Sequence, residues 1–146
     1  MRIHLVFIVA ASILLAGCGK RGSTLTERQQ KNVDDASFIV RVQIDMTEPA
    51  QPDISGTDFR YEKMRLRIQR LLKGKLETDY LYKGSQRFPS SHFEDYKTGK
   101  ELIIFFNECE ERDDGIYILA PHSDVPESSN DPFDIYEKEI ADYLEQ

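Results

Sequence analysis

Two segments of this chain alternate apolar and polar residues with a period of two, and nothing else in the sequence restricts the fold as much. In "FIVRVQIDM", Phe38, Val40, Val42, Ile44 and Met46 fall on one face, and Arg41, Gln43 and Asp45 on the other. Successive side chains of a strand point to opposite faces, so this segment is a strand with one face buried. In "YEKMRLRIQRLLKG", Met64, Leu66 and Ile68 oppose Lys63, Arg65, Arg67 and Gln69. These residues are also good helix formers. The unbroken alternation, ended by Lys73-Gly74, predicts a strand instead.

The remaining elements follow from shorter signals. Thr24 and Glu27 fit a capping box and predict a short helix through Val33. Residues 48–58 hold Pro49, Pro52 and Gly56 and read as a loop. "DYLYK" predicts a third strand, with Pro89 as its stop. Ser91 and Glu94 fit a second capping box, with helical turns over His92 to Lys97. "KELIIFF" is a continuous apolar run, expected of a strand buried on both faces. "NECEERDDG" reads as a polar loop closing in an Asp-Gly turn, and "IYILA" as the last strand, ended by Pro121. Asp131 is placed to cap a C-terminal helix with Pro132 at its first position. Phe133, Tyr136, Ile140, Tyr143 and Leu144 then recur at helical spacing, an apolar stripe expected to pack on the sheet. The order of elements predicts a mainly β fold with flanking helices. It fits a five-stranded OB-like Greek-key barrel, with a helix between the third and fourth strands and an amphipathic helix at the C-terminus. An open sandwich with added helices is the alternative.

The N-terminus gives an address. Met1 to Gly17 has a weakly basic start, an apolar run from Leu5 to Leu15 and small residues at its end. That is the pattern of an export signal, and the run is short of the ~20 apolar residues a membrane-spanning helix needs. Leu15-Ala16-Gly17-Cys18 resembles the lipobox of bacterial lipoproteins. The resemblance implies a diacylglyceryl group on the Cys18 sulfur, cleavage after Gly17 and acylation of the new amine. More than one buried acyl chain is what stable anchoring requires. Gly19, in place of Asp, implies forwarding to the outer membrane, facing the periplasm, in a two-membrane bacterium. A one-membrane host would display the protein on its surface. Residues 1–17 are then the signal peptide, 18–23 the lipidated cysteine and tether, 24–124 the barrel and 125–146 the C-terminal helical segment. The tether from Gly19 to Ser23 spans at most about 18 Å, which keeps the domain near the membrane.

Charge and cysteine content narrow the partners. The chain carries 19 basic and 26 acidic side chains, a net of −7, which argues against general nucleic-acid affinity. The charge is segregated. Residues 60–87 hold nine basic and three acidic residues, whereas 108–146 hold thirteen acidic and two basic ones. Self-neutralisation between these segments is expected. With Cys18 acylated, Cys109 is the remaining thiol, expected to be buried or half-buried and without an intramolecular disulfide.

Four segments, "DASFIVRVQI", "MRLRIQRLLKG", "GKELIIFF" and "DGIYILA", resemble in their order the netrin module and the tissue inhibitors of metalloproteinases, over Val33 to Ser123. The resemblance implies an OB-type barrel of a kind that binds other proteins. The departures are as informative. Those inhibitors are stapled by disulfides, and they coordinate the protease zinc through a free N-terminal cysteine amine. Here the amine of Cys18 is expected to be acylated and held at the membrane, so that chemistry does not carry over.

No nucleophile elbow, P-loop, dinucleotide fingerprint or zinc-helix motif occurs. His92, His122 and Cys109 match no zinc-ligand spacing, and "ECEERDDG" lacks the spacing of a calcium hand. No cofactor, metal or catalytic residue set is therefore expected. The candidate binding face is Lys63, Arg65 and Arg67, which share one side of a strand. It suits an anionic envelope component, lipid head groups or an acidic protein surface. Against this stands pairing with acids of the C-terminal helix such as Glu137 and Glu145. The sequence thus reads as a lipid-anchored, non-enzymatic binding or interaction module. The alternatives are a periplasmic protease inhibitor and a structural envelope-assembly lipoprotein.

Overall fold

The computed structural model describes residues 24–49, 58–119, 123–126 and 133–146. The leader, Cys18 and the tether lie outside the described residues. So do Pro52, Gly56, Pro121, His122, Asp131 and Pro132, and the side chain of Phe133. No helix among the described residues is long and apolar enough to cross a membrane.

The chain runs α1 (Glu27–Asp35), β1 (Phe38–Pro49), β2 (Asp58–Lys73), β3 (Tyr80–Lys83) and β4 (Gln86–Pro89). A 3-10 helix (Ser90–Tyr96) follows, then β5 (Glu101–Phe106), β6 (Glu108–Arg112), β7 (Gly115–Leu119), β8 (Ser123–Pro126) and α2 (Phe133–Leu144). All eight strands belong to one mixed sheet in the order β6-β7-β3-β2-β1-β5-β8, with β4 pairing β2 off this path. β3 and β7 run parallel and the other pairs antiparallel.

The protein is mainly β, as expected, but the hydrogen-bonded ladder is open and holds more than five strands. β4, β6 and β8 were not anticipated. β6 falls in the segment read as a polar loop. Cys109 is its one apolar residue, so it shows no alternation, and its backbone pairing with β7 makes it a strand. Pro89 ends β4 rather than β3. β7 is not the last strand, because β8 pairs with β5 along Leu102 to Phe105. The helix caps also differ. Thr26, not Thr24, caps α1: its hydroxyl accepts from the Gln29 backbone N–H, and the Gln29 side chain accepts from Thr26 N. The 3-10 helix follows Pro89 and has no side-chain cap from Ser91.

The topology forces the sheet to curl. β6 and β5 stand five strand spacings apart in the ladder, about 24 Å if flat. Only Asn107 separates them in sequence, so their ends lie within about 7 Å. Inside the curl, Val40, Val42, Ile44, Met64, Leu66, Leu81, Leu102, Ile104 and Phe106 form the main core, all fully buried. Aromatic rings close one end of it, with Phe88 stacked on Tyr96 at 4.0 Å and on Phe59 at 5.2 Å. On the outer side of β1 and β5, Ile39, Ile103 and Phe105 pack against Leu25, Val33, Ala36, Tyr136 and Ile140 from the two helical segments. β5 is thus buried on both faces, as its apolar run predicts, and the stripe of α2 packs on the sheet.

Gly74, just past β2, has φ +92°, and a Cβ there would lie 2.5 Å from the Phe38 ring and 2.8 Å from the Ser37 carbonyl oxygen. Both the backbone conformation and the contact exclude a side chain. Gly74→Ala is expected to lower stability by about 2 kcal/mol or more, read as a shifted midpoint in urea unfolding with an unchanged slope.

Candidate functional site

β2 and β3 build the site by their alternation. β3 buries Leu81 and Lys83 and turns Tyr80 and Tyr82 to the other side. Its register with β2 sets Tyr80 opposite Arg67 and Tyr82 opposite Arg65. The parallel register with β7 sets Tyr82 beside Tyr117, and the two rings stack at 5.2 Å.

Basic side chains lie over these rings. Lys63 Nζ is 4.7 Å from the Tyr82 centroid and 5.4 Å from that of Tyr117. The guanidinium carbon of Arg65 is 5.3 Å from Tyr80, and that of Arg67 5.9 Å. Arg112 of β6 reaches 4.3 Å from Tyr117. The result is a row of alternating cations and aromatic faces across β2, β3, β7 and β6. All these separations suit cation–π attraction.

Lys63, Arg65 and Arg67 do share one face, as the alternation predicts. Their partners are not the acids of the C-terminal helix. Asp45 accepts from Arg65 Nε at 2.6 Å and from Arg67 at 3.2 Å. The register between β1 and β2 shifts between Ile44 and Met46, so Asp45 has no cross-strand partner and stands beside both arginines. Lys63 pairs with Asp114 at 2.5 Å, and the Tyr117 hydroxyl donates to the same carboxylate at 2.8 Å. Glu137, from α2, instead holds Arg41 at 2.5 Å and Arg70 at 2.8 Å. The sequence reading missed Tyr80, Tyr82, Tyr117 and Arg112. Their signal is the pattern of "DYLYK", in which two tyrosines alternate with Leu81 and Lys83.

The charges are tuned by these contacts. The Lys63 ammonium and the Tyr117 hydroxyl hold the Asp114 carboxyl below its ordinary range. The bond to Asp114 raises Lys63, and the bond to Asp45 raises Arg65. Planar guanidinium forks suit carboxylates and phosphates, and tyrosine rings offer rigid flat area with a polar edge.

Other candidates lie apart from it. Cys109 is half-buried against the main core. His92 is on the exposed 3-10 helix, its Nδ1 3.2 Å from Asp95. Among the described residues no group of three or more His, Cys, Asp or Glu side chains is arranged to hold a metal ion. No protein-family model matches the chain, and no curated protein matches it in sequence.

The Asp114 contacts set a pH dependence. A carboxyl with a depressed folded-state pKa stabilises the fold above its unfolded pKa, and loses that contribution as pH falls through the folded value. Lys63 has the opposite sign, stabilising below its ordinary pKa and losing that contribution as pH rises beyond it. Between these limits the wild type should exceed Asp114→Asn in urea midpoint by a constant margin. The margin should shrink below about pH 4, where carboxylates titrate. A margin independent of pH down to 2 would remove the pair from the account.

Proposed function

We propose that this chain is a lipid-anchored envelope lipoprotein whose domain is a non-enzymatic binding or protein-interaction module. Its binding face is the outer side of β2, β3 and β7. The observation that carries the binding reading is the row of Lys63, Arg65, Arg67 and Arg112 over Tyr80, Tyr82 and Tyr117. The lipobox-like Leu15 to Cys18 supports the location. We take the partner to be an anionic envelope component or an acidic protein surface, and not nucleic acid.

The OB-like barrel reading belongs with this proposal, and the strand pairings support it. β3 and β4 pair with successive stretches of β2, Met64 to Arg67 and Asp58 to Tyr61, so they count as one interrupted strand. β5 and β6 are interrupted only at Asn107. Eight strands thereby reduce to five strand paths plus β8. The 3-10 helix falls between the third path and the fourth. On OB barrels the face of the second and third strands is a common binding surface, and here it carries the tyrosines.

Two experiments test the proposal in a two-membrane bacterial host. Cys18→Ser should remain uncleaved and lose incorporation of labelled fatty acid. Processing and labelling like the wild type would end the lipoprotein reading. Separately, the variant with Lys63, Arg65 and Arg67 all changed to Gln should lose the crosslinked species that the wild type yields in intact cells, while still folding, as a single cooperative melt will show. An unchanged set of crosslinked species would take the function off this face.

A further inference from the structure

We draw no further inference here: the strongest candidate, the aromatic patch at the end of the core where Phe93 of the 3-10 helix stands exposed against Phe59, carries nothing, because nothing in the structure shows what covers it.

Discussion

Asn107 is the residue on which the arrangement turns. It joins β5, next to one end of the ladder, to β6 at the other. A strand ladder that must bring its ends within one residue of each other has to roll up, and the rolling creates an inside. The inside takes the alternate residues of β1, β2, β3 and β5. What remains is the outer surface, and the two halves of the sheet treat it differently. Over β1 and β5 it is apolar, with Ile39, Ile103 and Phe105 covered by α1 and α2. Over β3, β7 and the Lys63–Arg67 stretch of β2 it carries tyrosines and cations, and further along β2 Arg70 and Leu72 meet α2 and the helix-side cluster.

The ion pairs divide along the same line. Glu137 is 4 % exposed and bridges Arg41 and Arg70, and Arg41 also meets Glu101 at 2.5 Å. A buried carboxylate left without its guanidinium would be costly, so this group fixes α2 to the sheet in one register. The pairs of Asp45 and Asp114 are mixed in exposure: Arg67 and Asp114 are half exposed, whereas Asp45 and Lys63 are mostly buried. Exposed pairs contribute little to stability and are screened by salt. The same chemistry thus locks α2 to one face and ties β1 and the β6–β7 turn to the strand that carries the other.

The sequence made legible those elements that announce themselves by burial. β1, β2, β3, β5, β7 and α2 each present an apolar period or run. β4, β6 and β8 are four or five residues long. They are strands because a neighbour offers them a ladder, which no local pattern records. The cap of α1 is a related case. Thr24 with Glu27 and Thr26 with Gln29 both satisfy the capping spacing. The choice falls to tertiary structure, in which Leu25 is buried with the helix-side core. At the candidate site the basic stripe was readable because it lies on one strand. Its partners were not, since Asp45 and Asp114 come from β1 and from the β6–β7 turn. Nor were the tyrosines, which look like core residues until the parallel register of β3 and β7 lays two of them side by side.

That register depends on a small residue. Gly115 opens β7 with φ +143°, and a Cβ there would stand 2.4 Å from the Tyr82 ring. Its missing side chain is the space Tyr82 occupies, and Tyr82 in turn stacks on Tyr117. Tyr117 in turn lies under the guanidinium of Arg112. The β6–β7 hairpin therefore assembles the tyrosine face: its turn supplies Asp114, its strands supply Arg112 and Tyr117, and its glycine admits Tyr82.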